Sequence, residues 1–392
     1  MHMDTMIQDF TGIILLILCV GFILSRLKIP YVIAYLVVGI MIGPSGFGFI
    51  EDPAVLHRIE SIGVLLLLFF VGMEICLPCL FSGWKVSILG TFLQFAVTIG
   101  CVAILGHFMA WQLVEIVLIG SVISISSTAV ILKILNEWNE SKSPVGQDVV
   151  SILIVQDIAV IPIIILIELV GGKEPSLKEL ALQGSGALIM GGILAFLLIK
   201  KEFHMPFAGY FKNNPEMQVF GAMILCFGFA FLTEILHLSG ALGAFLAGII
   251  VGTAKETEWI HDSLDSFRVL FVALFFTSIG MLVDLSFIYG HWREVAFLTV
   301  TAIFTNTFIN AGIMKLLGVE WKRSLYAASL LSQIGEFSIV IVAVALQAHI
   351  VGQDFYQMAI AVISSTLLIS PFWISLVKKL TGCQPALLTN TQ

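Results

Sequence analysis

The stretch Gln147–Val170, QDVVSILIVQDIAVIPIIILIELV, decides the fold. It has the length and apolar character of a helix that crosses a bilayer. One carboxylate, Asp157, sits near its middle with Gln156 beside it. A charge at that depth costs about 2.5–3.5 kcal/mol on insertion scales, and nothing within the segment offsets it. Pro162, farther along, removes a backbone donor and loosens the helix beyond the acid. Such a carboxylate marks an ion or proton relay by default; the alternative is a structural acid held against a hydroxyl or an amide.

The surrounding chain fits a membrane setting. Of its 392 residues 59% are hydrophobic and only 11% charged, with mean hydropathy +1.05. That balance excludes a soluble domain and describes a polytopic helical membrane protein. The net charge of −7 comes without any basic patch, so nucleic acid is not an expected partner. Cys19, Cys76, Cys79, Cys101, Cys226 and Cys383 are scattered and read as small core residues; no Cys or His pair has zinc spacing. No basic flank of a cleaved signal precedes the first apolar run, which is expected to be a permanent helix.

Apolar runs occur near 8–25, 30–48, 57–75, 85–106, 112–135, 147–170, 180–199, 216–236, 239–253, 265–287, 294–315, 323–347 and 354–377, thirteen spans in all. With the N-terminus outside, the outer connections hold only Arg58, Lys173, Lys178 and Arg293 of the 19 Lys and Arg. This positive-inside asymmetry places the C-terminus in the cytoplasm.

The chain also repeats itself. Ala34–Gly43 (AYLVVGIMIG) resembles Ala244–Gly252 (AFLAGIIVG), and Leu68–Met73 resembles Leu274–Met281. Ser124–Thr128 (SISST) falls opposite Ser332–Glu336 (SQIGE), and Pro162 opposite Pro371, at an offset of 208 or 209 residues. Seven spans per offset is an odd number, so the repeats are inverted, the architecture of secondary transporters with a midplane site. Opposite Gln156 and Asp157 the second half has Ser364, Ser365 and Thr366, so a single midplane carboxylate is expected.

The fifth and twelfth spans interrupt their apolar runs with small polar residues: Ser124, Ser126, Ser127 and Thr128 in one, Ser332, Gln333, Gly335 and Glu336 in the other. Such segments unwind and expose backbone carbonyls at membrane depth. Carbonyl, hydroxyl and carboxylate oxygens suit a small hard cation. Glu74, Glu234, Asp284 and Glu168 lie near span ends, and His237 reads as a solvated loop residue.

The motifs IPYVIAYLVVGIMIGPSGFG, GVLLLLFFVGMEI, SSTAVILKIL, VQDIAVIP, LSGALGAFLAGIIVG, LFFTSIGM and LSQIGEFSIVI, spread over residues 8–379, resemble the monovalent cation:proton antiporter-2 family. The Gln156–Asp157 pair is most similar to Kef-type potassium:proton antiporters. The resemblance implies an all-α sodium/proton antiporter fold of about thirteen transmembrane helices in two inverted repeats with crossed broken helices. It implies a core that moves like an elevator against a dimerising scaffold. Asp157 would bind cation and proton in turn, with Gln156 beside it, Thr128 and Ser127 at the crossing, and Glu336 and Gln333 from the second broken helix. Asn306 stands where many family members carry a Lys, so no exchange of a Lys salt bridge with Asp157 is expected.

Kef proteins usually continue into a cytosolic nucleotide- and glutathione-sensing domain, and their acidic regulatory loop is only partly echoed by His261–Arg268. Glutathione gating is therefore not expected of this chain by itself. The expected organisation is one exchanger domain over 1–379, with repeat one at 8–170, a linker helix at 180–199, repeat two at 216–377 and a cytoplasmic tail at 380–392. The expected activity is exchange of potassium, or of sodium, for protons in the inner (plasma) membrane. The expected protein is a homodimer, not an enzyme, without a cofactor, and open to a separate cytosolic regulatory subunit. A potassium-selective channel, or the membrane subunit of a regulated efflux system, is the alternative.

Overall fold

A computed structural model describes residues 5–26, 31–49, 53–74, 85–141, 143–171, 182, 184–186, 188–193, 196, 214–236, 238, 240–254 and 258–382. Of the linker helix expected at 180–199, residues 182, 184–186, 188–193 and 196 are described, and all are helical. Cys76, Cys79, Cys383, His237, most of the tail, and the side chains of Glu74, Glu168 and His261 lie outside the described residues.

Regular structure among the described residues is helical: α1 (Thr5–Arg26), α2 (Tyr31–Ile42), α3 (Pro53–Glu74), α4 (Gly90–Met109, entered through a π-helical turn at Lys85–Leu89), α5 (Leu113–Ser124), α6 (Thr128–Glu137) and α7 (Pro144–Gly171). The second half has α8 (Pro215–Ile235), α9 (Gly240–Thr253), α10 (Glu258–Leu282), α11 (Leu285–Gly290), α12 (Trp292–Leu316), α13 (Trp321–Leu330), α14 (Phe337–Gln347) and α15 (Gln353–Thr381). Every apolar run is mostly helical over its described residues, with breaks inside those at 112–135 and 323–347. Five stretches among the described residues are long and apolar enough to cross a membrane: Lys85–Met109, Pro144–Ile164, Glu216–Ile235, Trp292–Leu316 and Gln353–Thr381.

Two boundaries differ from expectation. The run at 265–287 is α10 to Leu282, after which Asp284 caps α11 by accepting the amides of Ser286 and Phe287. Asp284 is thus a helix cap, because its short carboxylate reaches the first free N–H groups. Pro162 and Pro371 both lie inside continuous helices, α7 and α15.

Large apolar side chains are exposed, while a set of polar ones is buried within the apolar core. Phe92, Ile104, Phe220, Ile224, Phe297 and Phe308 are exposed, whereas Gln94, Ser124, Ser126, Gln156, Asp157, Asn306 and Gln333 are buried. This distribution suits a lipid surround, where apolar side chains need no cover and polar ones need partners. It also explains the cysteines: Cys226 is buried, but Cys19 and Cys101 are exposed rather than core residues.

Two compact units make up the chain. One, residues 50–81 and 172–279, holds α3, α8, α9 and α10 through Ile279. Its α3 and α9 meet backbone to backbone. A Cβ on Gly248 would lie 2.1 Å from the Phe69 carbonyl oxygen, and one on Gly72 would lie 2.3 Å from that of Phe245. Phe69, Phe70, Ala244, Ala247 and Cys226 fill the space around this small-residue seam. The other unit, residues 1–49, 82–171 and 280–392, draws on both halves of the sequence. Every residue of the candidate site lies in it.

Candidate functional site

Two helices are broken at repeat-related places: α5 and α6 are separated by Ile125–Ser127, and α13 and α14 by Leu331–Glu336. The two gaps brace one another. Gly335 N donates to the Ile125 carbonyl at 2.7 Å, Ser126 Oγ to that of Leu331 at 2.9 Å, and Ser338 Oγ to that of Val122 at 2.8 Å. Only glycine fits at 335, where a Cβ would lie 2.5 Å from the Ser126 carbonyl oxygen.

A helix end leaves its last four carbonyls without helical partners. At the end of α5 and the residue after it these are the carbonyls of Val122, Ile123, Ser124 and Ile125, and all four are engaged. Ser338 Oγ takes the first, Asn306 Nδ2 the second at 2.8 Å, Gln94 Nε2 the third at 2.9 Å and Gly335 N the fourth. The sequence leads one to expect exposed carbonyls at this break; here each already accepts a hydrogen bond.

Asp157, on α7, meets the start of α6. Thr128 Oγ1 lies 3.1 and 2.9 Å from its two carboxylate oxygens and donates there. Ser127 does not share this contact: its Oγ accepts Val130 N at 3.3 Å and caps α6. Glu336, the residue equivalent to Thr128 in the second break, is fully buried and close enough for its charge to act on Asp157. A second acid is thus buried in the same compact unit as Asp157. Both stand at the N-terminal ends of half-helices, α6 and α14, whose dipoles favour negative charge.

Gln156 turns elsewhere. Successive helix residues are about 100° apart, so a neighbour of Asp157 cannot share its direction. Gln156 Oε1 accepts Ser126 N at 3.0 Å, and its Nε2 donates to Gln94 Oε1 at 2.7 Å. Asn306, on α12, holds the Ile123 carbonyl and, more weakly, that of Ser332 at 3.4 Å. Both amide atoms of Gln333, Asn306 Oδ1, Ser332 Oγ and Ser364 Oγ are buried with no hydrogen-bond partner among the described residues. Of the seven residues expected from the sequence, then, Thr128 and Glu336 bear on Asp157, while Ser127, Gln156 and Asn306 hold the broken backbone. Gln333 contributes unspent polar capacity.

Two features escaped the sequence reading. Gln94 is one; its only signal is an amide inside the apolar run TFLQFAV. The other is a second buried acid cluster. Glu140, in the connection after α6, is 2% exposed, accepts the Tyr326 hydroxyl and pairs with Lys378 Nζ at 2.6 Å. That ammonium also lies 4.0 Å from the centre of the Trp138 ring. Nearby in sequence, Arg323 pairs with Asp148 and donates to the Pro144 carbonyl at 2.9 Å.

Chemically, the site offers a carboxylate that can hold a proton or a small cation, a hydroxyl on it, a second acid, and spare amide and hydroxyl groups. Such hard oxygen donors suit an alkali cation. No group of three His, Cys, Asp or Glu side chains is placed to hold a metal ion among the described residues.

The chain is similar to known proteins. The chain is 30% identical to "Iron transporter MagA" of Paramagnetospirillum magneticum, over 93% of this chain and 83% of that protein. It is 30% identical to "Glutathione-regulated potassium-efflux system protein KefC" of an Enterobacter species, over 91% of this chain but only 58% of that protein. Its fold matches the sodium proton antiporter MjNhaP1 of Methanocaldococcus jannaschii with a TM-score of 0.66, at 17% identity, covering 97% of this chain and 100% of that one. The model of the transmembrane sodium/hydrogen exchanger family matches residues 13–379, and the chain belongs to that family.

Proposed function

We propose that the chain is a secondary antiporter that exchanges a monovalent cation for protons, with potassium favoured over sodium. The observation that carries this reading is the contact of Thr128 with Asp157 at a helix break, inside a lipid-facing bundle. Asp157 is read as the exchanging group. Protonated or cation-bound, it is neutral and able to travel with the moving core; bare, it carries a charge that resists transfer through a low-dielectric barrier. One exchanging carboxylate gives one cation per proton and no net current. A reversal potential away from zero under balanced gradients would count against this and bring in Glu336 as a second exchanging acid.

The potassium preference rests on the likeness to KefC and on the Gln156–Asp157 pair. The elevator movement rests on the fold, in which every site residue belongs to one compact unit. The same reading makes the protein a non-enzyme transporter in the plasma membrane, homodimeric, with its N-terminus outside. Regulation of the KefC kind, through a cytosolic subunit, is a second reading favoured by that relative's name alone. Adding glutathione to the flux assay tests it.

The deciding experiment follows interior pH in proteoliposomes after pulses of potassium, sodium or ferrous iron, for wild type and Asp157→Asn. Alkalinisation driven by potassium and lost in the variant supports the reading. Equal signals from both proteins would remove Asp157 from the exchange. A response to iron alone would move the substrate to that of the MagA relative.

A further inference from the structure

Gln94 lies on α4, remote in sequence from every polar motif, and is completely buried. Both ends of its amide are spent. Its Oε1 accepts Gln156 Nε2 at 2.7 Å, and its Nε2 donates to the Ser124 carbonyl at 2.9 Å. Gln156 Oε1 in turn accepts Ser126 N at 3.0 Å. The two side chains therefore close a ring around the break: Ser124, Ile125 and Ser126 on the backbone side, Gln156 and Gln94 on the other.

The ring fixes the direction of both amides. Turning Gln94 over would set its NH2 against that of Gln156 and its oxygen against the Ser124 carbonyl. Turning Gln156 over would set its NH2 against Ser126 N–H. In a low-dielectric interior such like-to-like contacts leave buried groups unpaired. Thr128 begins two residues beyond Ser126, so whatever holds the Ser126 amide also sets where the Thr128 hydroxyl falls on Asp157.

We propose that Gln94 is a positioning residue for ion exchange: through Gln156 it locks the first helix break in the form that places Thr128 on Asp157. This rests on the reading of Asp157 as the exchanging acid. Without Gln94, Gln156 loses one of its two partners and holds the Ser126 amide less firmly. A loosened break costs cation binding first, because the ligand set is no longer preorganised.

The side-chain chemistry required is narrow. Asn is a methylene short of spanning α7 and the Ser124 carbonyl together. Met fills the volume and makes neither bond. A protonated Glu reproduces both bonds, its O–H donating to Ser124 and its carbonyl oxygen accepting from Gln156; an ionised Glu has no donor and opposes the Ser124 carbonyl.

The test is cation-driven proton exchange in proteoliposomes of the full chain, with Gln94→Met, Gln94→Glu, Gln156→Met, the Met–Met double variant and Asp157→Asn. Gln94→Met breaks two buried hydrogen bonds and is expected to raise the half-saturating cation concentration about tenfold, part of their combined worth, with a smaller change in maximal rate. Gln94→Glu is expected to match wild type at acid pH and to fall away as pH rises, earlier than wild type does. The Met–Met variant is expected to be no worse than the weaker single one, since both break one ring. Wild-type half-saturation in Gln94→Met, a wild-type pH profile in Gln94→Glu, or additive effects in the pair would each overturn the proposal. If Gln94→Met does not elute as a folded protein, the Gln94→Glu profile decides alone. Exchange that survives Asp157→Asn defeats the exchange reading itself; loss there with an unaltered Gln94→Met defeats only the role of Gln94.

Discussion

The backbone amides of Ser126 and Ile334 hold equivalent places in the two breaks, and each donates to a side chain on a proline-containing helix. The acceptors are Gln156 Oε1 on α7 at 3.0 Å and Thr366 Oγ1 on α15 at 3.2 Å. An amide freed by a broken helix must find a partner where no water is at hand, and both halves solve that need from the same direction. Thr366 returns its own hydroxyl proton to the Ile363 carbonyl at 2.8 Å and closes its side of the joint locally. Gln156 instead reaches a third helix, next to the acid that only this half carries.

The Thr128 hydroxyl should matter for ion affinity more than for folding. Thr128→Val keeps the shape and removes the donor. A hydrogen bond to a charged group contributes about 1.5–3 kcal/mol, so half-saturation for the cation should rise by about one to two orders of magnitude. Thr128→Ser should stay close to wild type. Initial exchange rates across a cation series measure both.

Gly335 should tolerate no side chain. Gly335→Ala sets a methyl group 2.5 Å from the Ser126 carbonyl oxygen and must push the two breaks apart. Overpacking of this kind costs about 1–3 kcal/mol, seen as a lower melting temperature in detergent and weaker exchange. Gly352→Ala, with nothing within 4 Å of the added carbon, serves as the matched control.

The Glu140–Lys378 pair should behave as a buried ion pair. Its side chains are 2% and 24% exposed, and Tyr326 adds a hydrogen bond to the carboxylate. Glu140→Ala leaves the ammonium without its carboxylate, at a cost of about 3–5 kcal/mol. With Lys378→Met as the second single variant, the double variant Glu140→Ala with Lys378→Met should recover part of that loss. Thermal unfolding of the four proteins gives the coupling directly; additive losses would mean that the pair contributes nothing beyond its parts.

Asp284 provides a pH-dependent cap outside the spanning segments. The Ser286 hydroxyl, with the amides of Phe287 and Ser286, holds its carboxyl below the usual carboxylate range. A lowered native value means that the cap's contribution is complete above the unfolded value of about 3.9 and is lost as pH falls from there through the native one. Fluorescence of Trp292, at the start of α12, should report loosening of α11 in that acid window. Asp284→Asn keeps an oxygen acceptor and should abolish the dependence.

The acid and the breaks were legible because they violate the pattern around them. Asp157 is a charge in an apolar helix, and the SISST and SQIGE runs interrupt hydrophobic spans at one shared offset. The division of labour at the site was not legible. Gln156 adjoins Asp157 in sequence, yet the helical rotation between them turns its amide to Ser126 and α4, which adjacency alone does not reveal. Gln94 carries no charge and stands alone in its span, and its meaning comes from two partners 30 and 62 residues away. The Glu140–Lys378 pair has no local signal, because its partners are 238 residues apart.

The mutual bracing of the two breaks bears on how the protein is made. The carbonyls of Val122 and Ile125 take their donors from Ser338 and Gly335, which leave the ribosome more than 200 residues later. Synthesis at about 5–20 residues per second leaves the first half waiting for at least several seconds with that joint unfinished. The joint is therefore complete only once the residues around the start of α14 have been made.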